Sequence, residues 1–154
     1  MRSKGVRGIR VNVYKYKAMD DVELQKVALR AHLNAIREQC PDWSMAFTHT
    51  HPEFWQELKS VIREEITPTG ISLITDHFAL LKGESMLPEK YNGDITVQPG
   101  FKHILDLVRS GDLYVKISAP YRVSESSPGY GDLKPLVRAL VDANVDRILW
   151  GSDW

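Results

Sequence analysis

The sequence predicts an α/β protein with parallel strands, and three observations point there. Five short runs rich in Val, Ile, Leu and aromatic residues alternate with four longer amphipathic segments. The order is β-α-β-α-β-α-β-α-β, and βα units in series make neighbouring strands parallel, with helices packed on the sheet. The strands begin near positions 6, 44, 71, 113 and 147, roughly 35 residues apart. Eight such units occupy about 280 residues, within the size range of a closed (β/α)8 TIM barrel. The 154 residues are therefore expected to form one unit, residues 1–154, with about five eighths of that barrel.

The first strand is expected over residues 6–13 (VRGIRVNV) and the second over 44–49 (SMAFTH). The third covers 71–76 (ISLITD), the fourth 113–118 (LYVKIS) and the fifth 147–152 (RILWGS). Each is too short for a typical helix. The first helix spans 21–39, with Val22, Val27, Ala31, Leu33 and Ile36 inward and Asp20 with Glu23 as a capping box. The second starts at Pro52 and carries Phe54, Trp55, Leu58, Val61 and Ile62 on one face. The third spans 100–110, with Phe101, Ile104, Leu105 and Val108 inward and Gly111 as its C-terminal cap. The fourth spans 133–144, with Leu136, Val137, Leu140 and Val141 inward. Residues 82–99, with Gly83, Pro88, Asn92, Gly93 and Pro99, read as a long loop after the third strand, a position that often serves function. The last strand is followed by no helix, so the sequence reads as cut at that end.

Composition narrows the function. Lys plus Arg and Asp plus Glu number 20 each, so no broad field attracts nucleic acid or an anionic membrane. The longest apolar run is four residues, 78–81, where a bilayer span needs roughly 20. The basic N-terminus has no apolar core of a secretory signal, and the one cysteine, Cys40, suits a reducing compartment. A cytoplasmic protein acting on a small molecule is the expectation. No G-x-G-x-x-G or P-loop lysine follows any strand, which argues against an open nucleotide-binding sheet.

Parallel strands covered on both faces read as continuous apolar runs, and here several do not. Gly8, Arg10 and Asn12 alternate with Ile9, Val11 and Val13, and Lys116 and Ser118 alternate with Val115 and Ile117. In the last strand Ile148 and Trp150 alternate with Leu149, Gly151 and Asp153. Apolar residues facing the helices and polar residues facing a barrel interior explain the pattern. A buried charge costs several kcal/mol unless paired, so Arg10, Lys116 and Asp153 need partners or a ligand. His77 and Asp153 end different strands at the rim where such barrels place their chemistry, and they can converge on one water. His49 and His51 have the spacing of a metal-binding pair, although Pro52 turns His51 off the strand. His32, His103 and Cys40 read as structural.

On VRGIRVN (6–12), LITDHFALLKG (73–83), LYVKISAPYRVS (113–124) and DRILWGSDW (146–154), the chain resembles the amidohydrolase-related (amidohydrolase 2) family of the metal-dependent hydrolase superfamily. Within it the likeness is to the 2-pyrone-4,6-dicarboxylate lactonase group, and it implies strands four to eight of the barrel. The resemblance implies Asp153 as general base toward water and His77 as a group that polarises the scissile carbonyl. In metal-using relatives His77 and Asp153 would hold one divalent ion such as zinc. It also implies Arg10 and Arg122 as substrate-carboxylate grips, and Lys116 and Ser118 as further substrate-binding residues. The family's strand-one H-x-H has no counterpart, and Tyr14, Lys15, Tyr16 and Lys17 stand where the lactonases carry a second arginine.

The function implied is hydrolysis of a cyclic ester or amide of a carboxylated small molecule. The alternatives are a decarboxylase on the same scaffold and a non-catalytic fragment. Open barrel edges add an expectation of self-association.

Overall fold

A computed structural model describes residues 4–48 and 50–153. The strands are β1 Gly8–Asn12, β2 Ser44–Thr48, β3 Ser72–Thr75, β4 Tyr114–Ile117 and β5 Ile148–Trp150. Between them lie helices α1 Val22–Ile36, α2 Trp55–Val61, α3 Phe101–Ser110 and α4 Lys134–Asn144. All neighbouring strands pair parallel, in the order β1-β2-β3-β4-β5. Helices meet in the same sequence, α1 against α2, α2 against α3 and α3 against α4. A doubly wound sheet would permute its strands around a switch point. Unbroken sequential order is the arrangement of one arc of a (β/α)8 barrel.

The strand residues facing the helices make the core: Val11, Met45, Phe47, Leu73 and Val115 are buried against Leu29, Trp55, Leu58, Ile62, Ile104, Leu107, Leu136 and Leu140. Removing such side chains from water stabilises the fold by about 1.5–3 kcal/mol each. Phe47 meets Trp55 edge-to-face at 5.9 Å, fastening β2 to α2.

Several local expectations need correction. Every strand is shorter than its apolar run, because ladder pairing stops before hydrophobicity does; Val13 is buried although β1 ends at Asn12. The α1 cap is Asp21, whose carboxylate accepts from Leu24 N at 3.0 Å, while Asp20 pairs with His51 instead. The buried face of α1 is Gln25, Ala28, Leu29, Leu33 and Ile36, so Val27 and Ala31 face solvent. Gln25 takes an inward position because its amide donates to Ala18 O and accepts from the Thr50 hydroxyl. After α2 the helix widens into a π turn at Ile62–Ile66. Residues 82–99 are short 3-10 turns, Glu84–Met86, Glu89–Tyr91 and Ile95–Val97, rather than one featureless loop. Val141 and, on the edge strand β5, Trp150 are exposed.

Candidate active site

The three carboxyl-terminal strand ends carry the site. β3 runs directly into Asp76 and His77, β4 into Ser118 and the turn Pro120–Arg122, and β5 into Asp153. At each of these ends the backbone enters the left-handed region, at His77 (φ 53°), Ala119 (φ 47°) and Asp153 (φ 69°). After β3 the excursion lasts four residues, His77, Phe78, Ala79 and Leu80, a left-handed turn closed by Ala79 N donating to Asp76 O. That conformation costs roughly 1–2 kcal/mol per non-glycine residue. Burial of Phe78, Ala79 and Leu81 holds it in place. Strain concentrated at strand ends is a mark of a functional site.

The turn aims His77 at the other two strand ends. Its Nδ1 lies 2.9 Å from Ser118 Oγ, and its Nε2 lies 3.6 Å from Asp153 Oδ1. The imidazole is buried, with its side chain 7% exposed. The second Asp153 oxygen accepts from the Tyr121 hydroxyl at 2.8 Å and from Arg122 Nε at 3.3 Å. The Tyr121 hydrogen bond holds the Asp153 carboxyl below its ordinary value, against some opposing burial, with Arg122 adding to the lowering. The same bond pushes the Tyr121 hydroxyl up. Asp153 is thus an ionised carboxylate with one oxygen steadied and the other facing an imidazole.

One residue away stands a second cluster. Asp76 is buried and accepts from Lys116 Nζ at 2.5 Å, with Arg10 Nη2 at 3.5 Å from its other oxygen. Arg10 keeps 60% of its side chain exposed, so its guanidinium remains open to a ligand. The unpaired charges expected on β1 and β4 therefore share one carboxylate.

Of the residues singled out from sequence, His77, Asp153, Arg122 and Ser118 meet in one group, and Arg10 and Lys116 meet in its neighbour. Ser118 is buried, with its hydroxyl against His77. His49 lies outside the described residues, and His51 pairs with Asp20 at 2.8 Å. Tyr121, Asp76 and Asp132 join the candidate site although the sequence assigned them no role. Asp132 accepts from Ser85 N, Ser85 Oγ and Ser124 Oγ, tying the loop after β3 to the loop that carries Arg122. Lys82 Nζ donates to Arg122 O at 2.8 Å, which fixes the same loop from the other side, and burial pushes the Lys82 ammonium down. The signal for Asp76 was its place between a strand and His77. Tyr121 stands in the Tyr-Arg step of the LYVKISAPYRVS stretch that carries the family resemblance, and Asp132 has no signal.

A catalytic zinc site uses three protein ligands and an open position. Among the described residues His77 and Asp153 supply two donors, and no group of three His, Cys, Asp or Glu side chains gathers anywhere. Two described donors fall short of that set. A surface hollow of about 930 Å³ beside α4 is lined by Tyr130, Leu133, Val137 and Arg138 and holds no such pair of reactive groups. Chemistry, rather than size, places the site at the strand ends.

Known proteins can be set beside this geometry. A 4-sulfomuconolactone hydrolase of Hydrogenophaga intermedia is 47% identical over 93 residues, covering 60% of this chain and 28% of that protein. Another, from Rhizobium radiobacter, is 31% identical over 159 aligned positions, covering 100% of this chain and 46% of that protein. The chain thus spans less than half the length of these curated relatives. A solved structure described as a 2-pyrone-4,6-dicarboxylic acid hydrolase from Pseudomonas putida superposes with a TM-score of 0.67 at 25% identity, covering 100% of this chain and 50% of the other. A protein of like description from Acinetobacter baumannii, solved with citric acid bound, gives 0.63 at 18% identity, with 99% and 51% covered, and shares the fold. The amidohydrolase family profile matches residues 1–154. With its sequential βα arc and the match running its whole length, the chain belongs to the amidohydrolase family.

Proposed function

We propose that the chain supplies the carboxyl-terminal half of the active site of a hydrolase that opens a cyclic ester of a carboxylated small molecule. The observation that carries this reading is the approach of His77 Nε2 to within 3.6 Å of Asp153 Oδ1. The names of the 47% and 31% identical relatives, both 4-sulfomuconolactone hydrolases, support a lactone as the substrate class.

In this mechanism Asp153 Oδ1 takes a proton from water as the water oxygen attacks the lactone carbonyl. The acyl–oxygen bond of the ring then breaks and the departing oxygen takes the proton held by Asp153, leaving a hydroxyl and a carboxylic acid, which ionises, on one product. His77 faces the developing oxyanion and stabilises it. Arg122, steadied beside Asp153, and Arg10, exposed beside Asp76, grip the anionic groups of the substrate. Lys116 is held by Asp76 and sets the positive edge of the same cleft. Placement in the cytoplasm belongs to the same proposal. No helix among the described residues is long and apolar enough to cross a membrane.

The test is ring opening by the purified chain on carboxylated and sulfonated butenolides and pyrones, read as loss of ring absorbance. Asp153→Asn is expected to lower turnover by about 10²–10⁴-fold, the usual worth of a positioned base, with the thermal midpoint little changed. Parent-like turnover in that variant rejects Asp153 as the base. Carbon dioxide release with the ring intact would instead establish the decarboxylase alternative.

A further inference from the structure

Ser118 is 2% exposed and lies against His77 twice. Its Oγ is 3.3 Å from the His77 backbone N and 2.9 Å from Nδ1 of the same residue's ring. A backbone N–H can only donate, so the serine oxygen accepts there. The hydroxyl has one proton of its own, and in this buried position the acceptor beside it is Nδ1. Were Nδ1 protonated, in either the neutral ring or the imidazolium, the serine oxygen would face two donors. Its own proton would then be buried without an acceptor, which folded proteins avoid.

We infer that Ser118 is a positioning residue that sets the tautomer of His77, donating to Nδ1 and so leaving the ring proton on Nε2. The consequence is a division of labour at the proposed hydrolytic centre, on whose reading this functional role rests. Nε2–H is then a donor standing 3.6 Å from Asp153 Oδ1, suited to a carbonyl oxygen that gains charge, and Asp153 is the base. An Nε2 that carries a proton is also not a metal ligand, since ligation needs that lone pair. Histidines that do ligate usually donate their other N–H to an acceptor. The left-handed backbone at His77 contributes to the same end. It turns the backbone N–H and the ring edge toward one hydroxyl, so Ser118 fixes orientation and tautomer together.

The test is a long-range proton–nitrogen correlation spectrum of the whole chain labelled with ¹⁵N-histidine, recorded above about pH 8, where imidazoles are ordinarily neutral. The His77 signals are identified by their loss in His77→Gln. The expected spectrum shows Nε2 as a pyrrole-type nitrogen and Nδ1 as a pyridine-type nitrogen displaced by an incoming hydrogen bond. Ser118→Ala should move Nδ1 to the free pyridine-type position, and Ser118→Thr should return it. A pyrrole-type Nδ1 in the parent overturns the inference, as does an Nδ1 that Ser118→Ala leaves unmoved. Should Ser118→Ala fail to fold, the parent spectrum and Ser118→Thr still decide. The two readings fail separately. An inactive chain with the expected spectrum loses the hydrolase and keeps the tautomer, whereas lactone opening with a pyrrole-type Nδ1 does the reverse.

Discussion

Asp153 and Asp76 are two carboxylates at one rim of the sheet with different partners, and the partners set their work. Asp153 is held ionised chiefly by the Tyr121 hydroxyl. A base must be deprotonated to act, so a lowered folded value keeps it competent as pH falls. The acid limb of kcat/KM is therefore expected below the ordinary carboxylate range, and Tyr121→Phe should shift that limb upward. An unmoved limb in the variant would mean that another group titrates. Asp76 instead compensates Lys116 and Arg10. Asp76→Asn should destabilise the chain by about 2–3 kcal/mol, less than a fully buried pair because Arg10 is largely in water. Urea unfolding measures it, and adding Lys116→Met to Asp76→Asn should recover part of the loss. Equal losses in single and double variants would show that Lys116 is not the partner that matters.

The connections between strands and helices show where backbone geometry is fixed. Gly100, which starts α3, has φ 78°, and a Cβ there would lie 1.9 Å from Pro52 O. Gly70, which ends the turn before β3, has the same φ of 78° but open space around it. Gly70→Ala is thus expected to cost only the left-handed penalty, about 1–2 kcal/mol. Gly100→Ala should cost clearly more, about 3 kcal/mol or above, because backbone must move. Comparable thermal midpoints for the two variants would refute the role given to Pro52. The left-handed turn at His77, Phe78, Ala79 and Leu80 was invisible in the sequence for a related reason. It contains no glycine or asparagine to announce positive φ, and packing of its apolar side chains holds a conformation that local preference opposes.

Taken as a whole, the sheet has two open edges, β1 and β5, among the described residues. Trp150 on β5 is 82% exposed. An unpaired edge bearing a large apolar side chain invites a second copy of the chain. Sedimentation of the purified chain is expected to show mass rising with concentration, and Trp150→Lys should suppress it. A monomer across the whole concentration range would remove this expectation.

The alternation of polar and apolar residues along β1 and β4 and the spacing of the βα units were enough to identify a parallel barrel arc, because periodicity is a local property written in order along the chain. The same alternation marked Arg10, Lys116 and Asp153 as charges in need of partners. Which partners they found was another matter. Asp76 between Arg10 and Lys116, Tyr121 on Asp153, and Ser118 against the backbone N and ring Nδ1 of His77 are contacts between strand ends distant in sequence. They exist because parallel pairing brings successive strand ends to one rim, and because tertiary packing there imposes backbone angles that no neighbouring residue specifies.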